Sequence, residues 1–283
     1  MVRVMTRLAW LTDVHFDLLK PEKPFKFGKM VARNGDYCVI TGDIAHGDTV
    51  CEYLEEFQRG FGGKVYFVLG NHDIWKSSFE QVHKNIRELC SDHENLHWLG
   101  DGVVHYINGV QLCGVDGWYD CQAGLTTDRI RFAMNDWHQI EELKANFNVH
   151  VMGFSDPLIN QLRNLGQSSA HEARQVLAKC HKDKHVIFAT HVPPYEESSF
   201  HEGGKSDATH LPFYTNIALG YVLKDWAYSN RDLIYDKHRK LFALTTLCGH
   251  THSPGEFIQR ANHKVYTGKS LYGNPQISKV FDL

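Results

Sequence analysis

Residues 64–73 read KVYFVLGNHD: an apolar run rich in β-branched and aromatic residues that stops abruptly at Gly70, Asn71, His72 and Asp73. A run of this length and make-up predicts a buried strand, so the polar group after it sits just past a strand's C-terminal end. The same grammar recurs along the chain. RLAWLT precedes Asp13-Val14-His15, YCVIT precedes Gly42-Asp43, HVIFAT precedes His191, and FALTTLC precedes Gly249-His250-Thr251-His252. Helix-like stretches from Thr49 to Arg59 and from Ser77 to Leu89 separate the early strands. That alternation predicts a mainly parallel sheet, and ligands of such sheets bind in the crevice beyond the strands' carboxyl ends.

The residues gathered at that edge are Asp13, His15, Asp43, Asn71, His191, His250 and His252. Two carboxylates, an amide oxygen and four imidazoles form a mixed N/O set that suits Mn, Fe, Zn, Ni or Co better than Ca or a thiolate-bound zinc. Seven ligands exceed what one tetrahedral ion takes. Two divalent transition-metal ions use them well if Asp43 bridges, with Asp13, His15, Asp43 and His252 on one ion and Asp43, Asn71, His191 and His250 on the other. Paired ions of this kind activate a shared water and stabilise the attacking and leaving oxygens of an in-line displacement, which is the chemistry of phosphoester hydrolysis. The leaving oxygen still needs a proton. His72 is the expected general acid, with Asp73 expected to hydrogen-bond and orient it.

The ordered series D-x-H, G-D, G-N-H-D, H and G-H-x-H, from about residue 8 to residue 252, resembles the calcineurin-like metallophosphoesterase superfamily. The resemblance implies an αββα sandwich of two mixed β-sheets flanked by helices, with a dinuclear metal site and the ligand and acid roles given above. Protein Ser/Thr phosphatases of that superfamily carry GDxVDRG and GNHE, whereas this chain has GDIAHGD at 42–48 and GNHD at 70–73. The pattern resembles more closely the cyclic-nucleotide phosphodiesterase, small-molecule phosphoesterase and repair-nuclease branches, of which a repair nuclease would normally be longer and carry an added DNA-capping domain. The expected substrate is therefore a small phosphodiester or phosphomonoester, with nucleotides among the candidates; a nuclease on DNA or RNA, a protein phosphatase and a non-catalytic scaffold are the competing readings.

Composition narrows these. A net charge of −3 across 283 residues gives no general attraction to a polyanion, so nucleic acid is not the favoured partner. Seven scattered Cys without a C-x-x-C pair read as reduced thiols. The amino-terminal apolar run is too short for a signal peptide and no stretch reaches membrane-spanning length, which makes a cytoplasmic protein the economical expectation. One domain spanning 1–283 is expected, with a helical insertion at about 128–184 and a long active-site loop at about 195–215. Within the insertion, Asp156-Pro157 and Ser169-x-x-Glu172 each read as a helix start.

Three further residues are candidate substrate contacts. His46 either faces the site or is an exposed loop side chain. Asp116 and Trp118, after the apolar run VQLCGV, either reach the crevice or form a tight turn with the indole in the core. Tyr195, His201, Phe213 and Tyr214 either stack on a base or aromatic leaving group or pin their loop. Finally, HENLHWLG at 93–100 matches the H-E-x-x-H pattern of zinc proteases, but Asn95, Gly100 and Gly102 argue against the continuous helix that chemistry needs. It reads as a connector.

Overall fold

The computed structural model describes residues 6–125, 134–148, 156–230, 235–236 and 241–283. Strands β1 (Arg7–Leu11), β2 (Tyr37–Thr41), β3 (Val65–Val68) and β4 (Leu96–Trp98) run parallel, and β15 (Lys279–Asp282) adds antiparallel to β1, giving the order β15-β1-β2-β3-β4. A second sheet has the order β13-β14-β12-β7-β6-β5. In it, β6 (Val110–Gly114), β7 (Val186–Ala189), β12 (Leu244–Cys248) and β14 (His263–Thr267) are parallel, while β5 (His105–Ile107) and β13 (Gly255–Arg260) form antiparallel edges. Two small ribbons, β8 (Phe200–His201) with β9 (Gly204–Lys205) and β10 (Tyr235–Asp236) with β11 (Leu241–Phe242), lie apart.

Side-chain alternation along the strands separates the core into layers. Leu8, Trp10, Val39, Tyr66 and Val68 of the first sheet meet Leu112, Ile187, Ala189 and Leu247 of the second. Their strand neighbours Ala9, Leu11, Cys38, Ile40, Val65 and Phe67 face outward onto helices α1 (Lys23–Val31), α2 (Val50–Phe61) and α3 (Phe79–Asp92) through Phe27, Val31, Leu54, Phe57, Val82 and Ile86. On the far side, Cys113, Val186, Phe188 and Leu244 pack on α4 (Pro157–Leu177) and α5 (Ile217–Ser229). The architecture is thus an αββα sandwich. Because both faces of each central strand are covered, these strands are mostly apolar rather than half polar, with Gln111 of β6 and Thr245 and Thr246 of β12 as buried polar exceptions.

Several local readings differ from the sequence expectations. Asp156 caps α4 as expected, accepting from the Leu158 amide at 2.9 Å. Ser169, however, opens no second helix: its hydroxyl bonds the Leu165 carbonyl at 3.0 Å inside one continuous helix. The remainder of the stretch expected to be helical at about 128–184 holds two single turns, Asp136–Gln139 and Glu141–Lys144, while residues 126–133 and 149–155 lie outside the described residues. The HENLHWLG stretch is more than a connector, since Leu96–Trp98 is β4, paired with β3. His97 therefore sits on a strand, and no H-E-x-x-H helix exists. All seven Cys are free thiols, and no helix among the described residues is long and apolar enough to cross a membrane.

His263 on β14 is fully buried between its neighbours, with Nε2 3.0 Å from Thr246 Oγ1, and burial pushes its pKa down to about 3. An unfolded chain protonates this imidazole near pH 6.5 while the folded one does not, so the unfolded state binds the extra proton between those values. Stability of the metal-free protein should therefore fall as pH drops from 6.5 toward 3, by about 1.4 kcal/mol per pH unit for this residue. Urea unfolding across that range should show a shallower pH slope in His263→Gln than in wild type.

Candidate metal centre

Strands β1, β2, β3, β7 and β12 deliver the polar motifs to one edge of the sandwich, and the backbone is bent there to turn them inward. Asp13, His15, Asp43, His250 and His252 all have left-handed φ, at 48°, 42°, 51°, 70° and 59°. A non-glycine residue in that region is strained by roughly 1–2 kcal/mol, so five together require a firm surround. The surround is visible. Asp13, His15 and Phe16 amides donate to the carbonyls of Gly42, Asp43 and Ile44 at 2.7–3.0 Å, and the His250 amide reaches across to Asp13 Oδ1 at 2.9 Å. The last bond ties the end of β1 to the end of β12 and hence one sheet to the other. The glycines of the motifs leave space for this: a Cβ on Gly70 would strike Asp43 Oδ1, and one on Gly249 would strike Thr12 Oγ1 and Asp13 Oδ2.

The seven candidate ligands converge as two overlapping groups. Ligand atoms of Asp13, His15, Asp43 and His252 all lie within 4.8 Å of one another, with His252 Nε2 3.3 Å from both His15 Nε2 and Asp13 Oδ1. In the second group, Asn71 Oδ1 lies 3.1 Å from His191 Nε2 and 3.0 Å from His250 Nδ1, and those two nitrogens are 3.2 Å apart. Asp43 reaches both groups: Oδ2 is 3.8 Å from His15 Nε2 and Oδ1 is 3.3 Å from His191 Nε2.

The remaining hydrogen bonds decide which atoms face inward. His191 Nδ1 donates to the Thr41 carbonyl at 2.8 Å, and His250 Nε2 donates to the Phe213 carbonyl at 2.8 Å. The opposite nitrogens, His191 Nε2 and His250 Nδ1, therefore carry lone pairs. Asn71 gives its amide hydrogen to Asp136 Oδ1 at 2.8 Å, which turns its oxygen inward as well. Three acceptors thus meet at hydrogen-bond range with no proton between them, beside the buried Asp43 carboxylate. A cation among them removes that repulsion.

The protonation states agree. Burial, with neighbouring imidazoles adding to it, pushes both His15 and His250 down to about 3, and burial also lowers His191. His15, His191 and His250 are thereby held in the neutral form, the one that binds metal. Burial, then the Asp13 and Asp73 carboxylates, drives Asp43 well above the usual carboxylate range. Burial works in the same direction on Asp13, but the hydrogen bond and charge of His252 carry it below its ordinary value. The donor set fits divalent transition-metal ions of the kind that take nitrogen and oxygen together.

A cleft of about 300 Å³ opens over this cluster, bordered by His72, Trp75, Asp136, His201, Tyr214 and Tyr272 among others. No Lys or Arg is among its described lining residues. His72 lies face to face with Trp75, ring centroids 3.5 Å apart, and its Nε2 is 3.9 Å from Asp43 Oδ2. His46 stands beside the same indole at 5.7 Å but turns its Nε2 to Asp17, 3.4 Å away.

The structure corrects one expectation and decides between two open alternatives. Asp73 does not orient His72: its Oδ1 accepts from the Ile44 and Ala45 amides at 2.8 and 2.9 Å, and its Oδ2 from the Gly70 amide at 2.7 Å. The turn His72–Ile74 points this carboxylate back under the loop, where it joins the loops after β2 and β3. Asp116 does not reach the metal cleft, because its Oδ1 is held by the Leu69 amide and Trp98 Nε1, each at 2.8 Å. Trp118 is buried in the core against Phe79 and Tyr119. The loop aromatics divide: His201 and Tyr214 border the cleft, while Phe213 is fully buried and Tyr195 ties its hydroxyl to the Gly220 carbonyl at 2.8 Å.

Sequence reasoning missed Trp75, Tyr272 and Asp136. Trp75 stands two residues past GNHD, where a 3-10 turn returns it onto His72, and proximity to the motif was a usable signal. Tyr272, more than half exposed, sets its ring 4.7 Å from His15 and 4.9 Å from His252. Neither it nor Asp136 belongs to a recognisable motif.

Comparison with known proteins gives a consistent picture. The family described as calcineurin-like phosphoesterase matches residues 6–254. Among solved structures, a phosphopantetheinyl hydrolase from Mycobacterium tuberculosis is similar at 16% identity and a TM-score of 0.60, covering 96% of this chain and 91% of its own. A dimetal phosphatase from Danio rerio is similar at 14% identity and a TM-score of 0.54, covering 98% of this chain and 91% of its own. At such identities the likeness concerns the fold. A search of curated proteins finds no match. The family match spans every motif from Asp13 to His252, and the chain belongs to the calcineurin-like phosphoesterase family.

Proposed function

We propose that the protein hydrolyses a small phosphoester, diester or monoester, with two divalent transition-metal ions held by Asp13, His15, Asp43 and His252 and by Asp43, Asn71, His191 and His250. The observation that carries this reading is the meeting of Asn71 Oδ1, His191 Nε2 and His250 Nδ1, all acceptors, at 3.0–3.2 Å beside the buried Asp43. Ions bound there supply the charge that lowers the pKa of a water toward neutrality and stabilises an in-line displacement at phosphorus. Everything else falls to the chain.

Asp43 presents one oxygen to each half of the site, and the His72 amide donates to its Oδ1 at 3.0 Å, which fixes the carboxylate plane. His72 stands at the cleft wall as the group that gives the leaving oxygen its proton. Burial, with His15 and His191 adding to it, holds His72 well below the usual imidazole range, so it is neutral until an anion arrives. A phosphoryl anion beside it favours the protonated form and restores the acid where it is needed. The net charge of −3 supports a small substrate over DNA or RNA, which is held by rows of cations. Asp73 serves the site by joining the two ligand-bearing loops.

Turnover of a panel of phosphomonoesters and phosphodiesters, with metal analysis, tests this reading. Wild type should lose activity on chelation and regain it with Mn²⁺, and Asp43→Ala should retain neither metal nor turnover. Undiminished activity after complete chelation would contradict the reading. His72→Ala should keep its metal and lose about 10²- to 10⁴-fold in kcat with an alkoxide leaving group, and much less with an aryl group that departs without a proton. Equal losses with both leaving groups would remove His72 as the acid.

A further inference from the structure

Outside the motif series, one carboxylate touches three elements of the site at once. Asp136, in the single turn Asp136–Gln139, is fully buried. Its Oδ1 accepts from Asn71 Nδ2 at 2.8 Å and from Trp75 Nε1 at 2.7 Å, and its Oδ2 accepts from Tyr119 Oη at 2.6 Å. Trp75 in turn carries the His72 ring, and Tyr119 lies nearly parallel to the His250 ring with centroids 6.0 Å apart.

An amide has two faces of nearly equal size, and only one of them ligates a cation. Nothing in the Asn71 backbone selects between them. The selection comes from its partners: with the amide nitrogen bonded to Asp136, the oxygen must face His191 and His250. The reverse orientation would set N–H against the ion and the amide oxygen against a buried carboxylate, a pair of acceptors with no proton. The second bond to the same oxygen pins the indole on which His72 lies.

We infer that Asp136 is a positioning residue for this centre, which turns the Asn71 oxygen toward the metal and fixes the Trp75 surface that holds His72. The inference rests on the metal-centre reading above. It also gives a task to a segment that lies far from every motif in sequence.

The test is Mn²⁺ affinity measured by titration calorimetry on metal-free protein. Asp136→Ala should weaken binding by about 10- to 100-fold, as loss of an orienting partner does at other metal sites. In an Asn71→Ala background residue 71 has no amide left to orient, so adding Asp136→Ala should change the remaining affinity by less than about threefold. Asp136→Asn, which keeps an oxygen for the two N–H donors, should stay near wild type and serves if the alanine variant fails to fold. Equal losses in both backgrounds, or an Asp136→Asn loss as large as that of Asp136→Ala, overturn the inference alone. A wild type that takes up no Mn²⁺ overturns the metal centre and this inference with it.

Discussion

The placement of Asp43 governs the rest of the site. Its carboxylate is buried and lies 3.8 Å from His15 Nε2 in one ligand group and 3.3 Å from His191 Nε2 in the other. A buried charge without an opposite charge is costly, and such a group either takes a proton or acquires a cation. Burial with the nearby Asp13 and Asp73 pushes it toward the protonated form in the bare protein. A metal ion held beside it would reverse that balance. The left-handed backbone at Asp13, His15, Asp43, His250 and His252 belongs to the same bargain: conformational strain is concentrated at the edge where the ligands must converge.

The scaffold explains how such strain is tolerated. Five strands from two sheets end at the site, and bonds such as the His250 amide to Asp13 and the Ile44, Ala45 and Gly70 amides to Asp73 lock their loops together. Motif residues therefore serve as structure as well as chemistry. Asp73 is the clearest case, since its place in GNHD suggested a partner for His72 and its actual bonds are three backbone amides.

Strand identity and order were readable because both faces of the central strands are buried, which writes β-branched runs such as YCVIT and HVIFAT plainly into the chain. The convergence of the candidate ligands was readable for a related reason: side chains able to bind metal follow those runs without interruption. Side-chain direction was not. Asp73 and Trp75 depend on a 3-10 turn, and Asp116 on a bond to Trp98, none of which leaves a periodic trace. Asp136 and Tyr272 come to the cleft through long-range packing, 65 residues from Asn71 in the first case, and no local pattern announces such a meeting.

Anomalous diffraction from crystals grown with Mn²⁺ tests the central claim most directly. Two peaks about 3.5–4 Å apart are expected, with Asp43 between them and Asn71, His191 and His250 around one of the pair. A single peak, or peaks to which Asp43 contributes no oxygen, would contradict the assignment of Asp43 as the bridge.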